Sequence, residues 1–162
     1  MKSKIDNYFK NKSILITGGT GTIGSALLLK LLQTDCKVIR VLSNDENGLF
    51  ELSEKVKILS KSNISQNFFK NMRETRVRYF LGDVRDIERC MEITSGIDIV
   101  IHAAAIKHVN IAEYNPFEAV KTNVIGAQNV IETSISADVK RVLALSTDKA
   151  CAPLNLYGAT KL

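Results

Sequence analysis

Tyr157 and Lys161 stand four residues apart in Tyr157-Gly158-Ala159-Thr160-Lys161. On a helix that spacing places both side chains on one face. An ammonium beside a phenol lowers the phenol pKa and lets it work as a base near neutral pH. A Tyr-x-x-x-Lys pair is also frequent by chance, and alone it reads as a surface pair. Just upstream, Ser146-Thr147-Asp148-Lys149-Ala150 sets a carboxylate beside an amine. Neighbours of that kind in a loop are most often a plain surface ion pair.

A second group of residues lies near the other end of the chain. The run Ile14-Leu15-Ile16-Thr17-Gly18-Gly19-Thr20-Gly21-Thr22-Ile23-Gly24 places three glycines after an apolar strand and at the opening of an amphipathic helix. One glycine permits the tight turn, another lets backbone approach a pyrophosphate, and a third lets helix and strand pack closely. Free N–H groups and the helix dipole then favour the anion. Strand before and helix after is the context that separates this motif from a chance glycine triplet. Gly18, Gly21, Thr22, Ile23 and Gly24 are therefore expected to bind a dinucleotide.

Two further stretches extend that site. Val41-Leu42-Ser43-Asn44-Asp45 ends the second strand, where an acidic residue reads the ribose of NAD and neutral or basic residues admit the 2′-phosphate of NADP. Neutral Ser43 and Asn44 favour NADP. Asp45 nearby, and the lack of an arginine beside Ser43, leave NAD possible. His102-Ala103-Ala104-Ala105 ends the fourth strand, where small Ala103 and Ala104 let a cofactor lie against backbone.

These residues need a scaffold, and the chain alternates short β-rich runs with helical patterns. The expected strands are Ser13 to Thr17, Lys37 to Ser43, Arg76 to Leu81, Ile97 to His102 and Arg141 to Ser146. Each is nearly continuous in apolar residues, as for strands covered on both faces of a parallel sheet. Helices are expected over Ile23 to Leu32, Asp86 to Thr94 and about Phe117 to Ser134. In the last, Ala119, Val120, Val124, Ala127, Val130 and Ile131 form an apolar stripe, and Pro116 precedes it where proline does least harm. The rhythm predicts an α/β fold, a Rossmann-like doubly wound parallel sheet with helices on both faces. Ser60 to Thr75 reads as a peripheral insertion, with a short helix around Asn67 to Met72.

Composition narrows the function classes. The chain has 162 residues, 45% hydrophobic and 24% charged, with a net charge of +5, a size and balance ordinary for one soluble domain. No stretch reaches the length of a membrane span. The polar segment from Met1 to Lys12 lacks the apolar run of a secretory signal, so a cytoplasmic protein is expected. Cys36, Cys90 and Cys151 are too few and scattered for a disulfide framework. No His/Cys cluster has metal-ligand spacing, and no metal is expected. The positive charge suits an enzyme of anionic nucleotides better than nucleic-acid recognition.

Taken together, Val100 to Val109, Ala112 to Asn123 and Ser146 to Ala150 resemble the polysaccharide-biosynthesis branch of the extended short-chain dehydrogenases/reductases. That branch includes the inverting UDP-N-acetylglucosamine 4,6-dehydratases. The glycine spacing G-x-x-G-x-x-G also resembles that superfamily. The resemblance covers nearly the whole chain and is weakest between Leu49 and Thr75.

The resemblance implies roles for particular residues. Tyr157 would deprotonate the sugar 4-hydroxyl, and Lys161 would tune Tyr157 and bind the nicotinamide ribose. Lys149 would remove the C5 proton, and Asp148 would protonate the departing C6 hydroxyl. Thr147 would hydrogen-bond the sugar, Asn123 would order the site, and Lys107 would lie near cofactor or substrate. Asp83 and Val84 would border the adenine, although Asp83 and Asp86 can each also be read as a helix cap.

The implied cofactor is NADP, the implied substrate a UDP-amino sugar, and the implied state of the full-length protein a homo-oligomer. Family members continue beyond the position of Leu162 into a C-terminal substrate domain. Residues 1–162 are therefore expected to form the dinucleotide-binding domain, inactive or nearly so by itself and exposing apolar surface. A nucleotide-sugar 4-epimerase or reductase, and a non-catalytic NADP-binding or interaction module, are the alternative readings.

Overall fold

In the computed structural model, which describes residues 4–61 and 76–162, five segments rich in Ile, Val and Leu form strands. They are β1 Ser13–Thr17, β2 Val38–Ser43, β3 Val77–Leu81, β4 Ile99–His102 and β5 Arg141–Ala144. Their order is β3-β2-β1-β4-β5, and every neighbouring pair is parallel. The chain thus winds outward from β1 in one direction and then, from β4, in the other. This is the doubly wound sheet that the alternating pattern predicts, with strands a residue or two shorter at some ends.

The helices are α1 Lys4–Phe9, α2 Thr22–Leu31, α3 Glu46–Lys61, α4 Ile87–Thr94, α5 Val109–Tyr114, α6 Pro116–Val120, α7 Gly126–Ser136 and α8 Leu156–Ala159. Alternation along each strand divides the core in two. Ile14, Ile16, Ile39, Val41, Ile99 and Ile101 meet Leu28 and Leu31 of α2 and Leu49, Leu52 and Val56 of α3 on one face. Leu15, Leu42 and Val100 meet Cys90 and Ile93 of α4 and Val130 of α7 on the other. Each such aliphatic side chain contributes roughly 1.5–3 kcal/mol by leaving water.

Several elements differ from expectation, α1 among them. Helix α3 was not expected, although Leu49, Leu52 and Val56 carry its helical spacing. It takes up Ser60 and Lys61, the first two residues of the supposed insertion; the rest, with the helix expected at Asn67 to Met72, lies outside the described residues. Helix α5 was not expected either. The long helix expected from Phe117 to Ser134 is broken by a π-helical turn at Lys121–Ile125 between α6 and α7. The wider turn changes the phase of the apolar stripe. Ala119, Asn123, Gly126, Asn129 and Val130 are buried, whereas Val124 and Ile131 face outward.

Among the described residues strand β5 pairs only with β4, and all four of its residues are exposed. Among the described residues no helix is long and apolar enough to cross a membrane.

Candidate active site

A cleft of about 400 Å³ opens where the C-terminal ends of β1 to β4 meet. This is the place where the winding reverses, and open α/β sheets bind ligands there. Its floor is the glycine turn between β1 and α2. Gly18 has φ +67°, and a Cβ there would lie 2.6 Å from the Ala104 N. A Cβ on Gly24 would lie 2.3 Å from the Gly18 carbonyl oxygen. Only glycine satisfies both the left-handed backbone and these approaches. No side chain caps α2, whose N-cap is Gly21, so its first N–H groups remain for a ligand. Backbone this bare, opening onto a cleft of this kind, fits a pyrophosphate.

The cleft gathers most of the expected cofactor residues. Gly18, Gly21, Thr22, Ile23 and Gly24 line it from the turn, Ser43 and Asn44 from the end of β2, and Asp83 and Val84 from the end of β3. Ala103, Ala104 and Lys107 line it beyond β4. Asn123, Tyr157 and Lys161 lie outside its lining. Sequence reasoning missed Thr20, Arg85, Glu118 and Thr122, which also line it. Thr20 stood inside the glycine motif, but the other three carried no local signal.

The side of the cleft at the ends of β2 and β3 is a polar network. Thr20 Oγ1 and Ser43 Oγ are 2.8 Å apart. Asn44 Nδ2 donates to Asp83 Oδ2 at 3.3 Å. Arg85 Nη2 donates to the same oxygen at 2.7 Å, and Arg85 Nη1 donates to Glu118 Oε2 at 2.6 Å. Partial burial disfavours the Asp83 carboxylate, yet hydrogen bonds from Arg85 and Asn44 outweigh it and hold the pKa below its ordinary value. Asp86 is the N-cap of α4, accepting from the Arg89 N–H at 3.0 Å. Asp45 is committed locally too, since its Oδ1 accepts from the Gly48 N–H at 2.9 Å.

The Thr147, Asp148, Lys149, Tyr157 and Lys161 segments sit beyond β5. Thr147 caps the short 3-10 turn Asp148–Ala150, and its Oγ1 donates to Asp148 Oδ1 at 3.0 Å. Lys149 Nζ lies 3.5 Å from the same oxygen. The Thr147 hydrogen bond and then the Lys149 charge lower the Asp148 pKa. Helix α8 carries Tyr157 but ends at Ala159, with Thr160 as its C-cap. Lys161 therefore follows the helix rather than completing a shared helical face. Half-burial lowers the Lys161 pKa.

Two buried polar side chains stand out, and the first joins the cleft to this segment. Asn123 in the π turn accepts from the Ile106 N–H at 2.8 Å and donates to the Ile106 carbonyl at 2.9 Å. Its Nδ2 also donates to Thr160 Oγ1 at 2.9 Å, and that hydroxyl donates to the Tyr157 carbonyl at 2.9 Å. Asn123 thereby braces both cleft wall and Tyr157 segment, and its polar atoms are taken up by protein partners. The second is His102, whose Nδ1 is 2.7 Å from Thr17 Oγ1. Its Nε2 finds no partner among the described residues. Burial, and then the Lys161 charge, push the imidazole down to about 4.

Comparison with known proteins shows the family of the chain. A sequence profile of the polysaccharide biosynthesis protein family matches residues 14–162. An inverting UDP-N-acetylglucosamine 4,6-dehydratase of Campylobacter jejuni is 49% identical over 95% of this chain and 42% of its own length. A UDP-glucose 4-epimerase of Rickettsia felis is 38% identical over 94% of this chain and 41% of its own length. An X-ray structure described as Pen from Bacillus thuringiensis superposes with a TM-score of 0.83 at 44% identity, covering 94% of this chain and 43% of that one. The chain thus spans less than half the length of each.

Proposed function

Because the chain belongs to the polysaccharide biosynthesis protein family, we propose that residues 1–162 form the dinucleotide-binding domain of a nucleotide-sugar 4,6-dehydratase. Its substrate is UDP-N-acetylglucosamine or a closely related UDP-amino sugar. The observation that carries the reading is the acid–base pair Asp148–Lys149, 3.5 Å apart, on a turn packed against the Tyr157 helix. Elimination of water needs a base for the C5 proton and an acid for the departing hydroxyl. A simple oxidation and re-reduction at C4 needs neither.

The cofactor is NADP, held over the glycine turn. Ser43 and Asn44 offer neutral groups at the ribose position, and Asp45, the carboxylate nearest to them in sequence, is already bound to the Gly48 N–H. When bound there, NADP would supply the redox chemistry, accepting the hydride of the sugar C4 and giving it back at C6, and so would end unchanged. The protein residues handle the protons. Tyr157 takes the proton of the 4-hydroxyl, and Lys161 binds the nicotinamide ribose. Once C4 is a ketone, the C5–H is acidic. As the proton of the Lys149 ammonium passes to Asp148, Lys149 takes the C5 proton, Asp148 gives its proton to the C6 oxygen as the C6–O bond breaks, and C5 regains a proton from Lys149 when hydride reaches C6. Thr147 orients the sugar, and Lys107 stands at the cleft wall beside cofactor or substrate.

A second reading, a nucleotide-sugar 4-epimerase, is favoured by the Rickettsia relative at 38% identity. One experiment separates the two. The full-length protein, given UDP-N-acetylglucosamine and catalytic NADP in deuterated water, should release a 4-keto-6-deoxy product that has lost one water and carries deuterium at C5. A product of unchanged mass, inverted at C4, would overturn the dehydratase reading.

A further inference from the structure

We propose that Glu113 is a positioning residue for Tyr157: from α5 it pins the first turn of α8 and so sets where the phenol stands. The proposal rests on the reading of Tyr157 as the base. Leu156 N–H donates to Glu113 Oε1 at 2.7 Å, across 43 residues of sequence. Helix α8 has only four residues, far fewer than a helix needs to hold itself in water. Its leading N–H groups require acceptors from elsewhere.

Asn155 Oδ1 supplies one of those acceptors, to the Gly158 N–H at 2.9 Å. That cap belongs to the segment and moves with it. Glu113 supplies another and ties the helix to a different element. At the far end Asn123 holds Thr160. The segment is therefore pinned at both ends, and Tyr157 directly follows the residue at the Glu113 pin. A carboxylate accepting from a helix N-terminal N–H is a charge-assisted bond, favoured further by the helix dipole. With that pin gone, the remaining side-chain tethers, Asn123 on Thr160 and Ser146 on the Lys161 carbonyl, hold the far end, and the side chain nearest the lost pin moves most.

Glu113 does not line the cofactor cleft, so losing it should affect turnover and not cofactor binding. A displacement of about 1 Å in a catalytic group costs on the order of 100-fold in rate. A purely stabilising cap would instead lower the melting temperature and leave kcat alone.

The test compares Glu113→Ala and Glu113→Gln in the full-length protein. Glu113→Ala should lower kcat by roughly 10–100-fold while NADP affinity stays within about 2-fold. Glu113→Gln keeps an acceptor oxygen and should recover most of the rate. Hydrogen exchange at the Leu156 amide should accelerate in Glu113→Ala and not in Glu113→Gln. Unchanged kcat in Glu113→Ala, unchanged exchange at Leu156, or a Gln variant as slow as the Ala variant would each overturn the proposal. If the wild-type protein turns over no nucleotide sugar, the functional reading fails instead. The exchange comparison then still decides whether Glu113 holds the segment.

Discussion

Gly158 has no room for a side chain against Lys149. A Cβ on it would stand 2.1 Å from the Lys149 carbonyl oxygen and 3.0 Å from Pro153 Cβ. The helix that carries Tyr157 therefore lies directly on the backbone of the turn that carries Asp148 and Lys149. Substituting this one glycine should push Tyr157 away from Asp148 and Lys149.

Gly158→Ala in the full-length protein should therefore lower kcat by roughly 10–100-fold. The cofactor cleft is built from other elements, so NADP affinity should hold. Steady-state kinetics beside a cofactor titration would check this. A variant with wild-type kcat would show that the contact does not matter to turnover.

Cofactor choice should turn on Asn44, which is exposed at the end of β2 and touches Asp83. Asn44→Asp keeps the shape and adds a negative charge where a 2′-phosphate would lie. NADP should bind about 10-fold more weakly or worse, an effect of roughly 1.4 kcal/mol, with NAD changed less. Separate titrations with the two cofactors would measure it. Equal weakening of both would argue that Asn44 does not face the 2′ position.

His102 should make the protein acid-sensitive. Its imidazole is pushed down to about 4 in the folded state, against about 6.5 when unfolded. Between those values the unfolded chain binds a proton that the folded chain refuses. Stability should thus fall as pH drops from about 6.5 towards 4, by up to about 3 kcal/mol in total. The lowered carboxylates Asp83 and Asp148 add losses of the same sign, but only near and below their ordinary values around 4. Melting temperature followed from pH 6.5 to 4.5 should slope downward in the wild type and flatten in His102→Gln. The same slope in the variant would assign the loss to other groups.

Much of the scaffold was legible because its signals are local. A parallel strand covered on both faces must be apolar throughout, so Ile14 to Ile16 and Ile99 to Ile101 announce themselves. The glycine turn is legible for the same reason: the approach of Gly24 to the Gly18 carbonyl acts between neighbours in sequence, although the approach of Gly18 to Ala104 does not. The break at Lys121–Ile125 was not legible. The amide of Asn123 leaves the helix to bond Ile106 and Thr160, and neither partner is near it in sequence.

By itself, then, the sequence determined the doubly wound sheet and the glycine cradle, and pointed to candidate side chains for chemistry. Each depends on residue type and short-range spacing. Only the tertiary structure decided how those side chains are held: Glu113 on Leu156, Asn123 on Thr160, Gly158 against Lys149, and Arg85 between Asp83 and Glu118. A one-turn helix has too little internal energy to place itself. Its position follows from acceptors and contact surfaces that the fold brings in from distant parts of the chain.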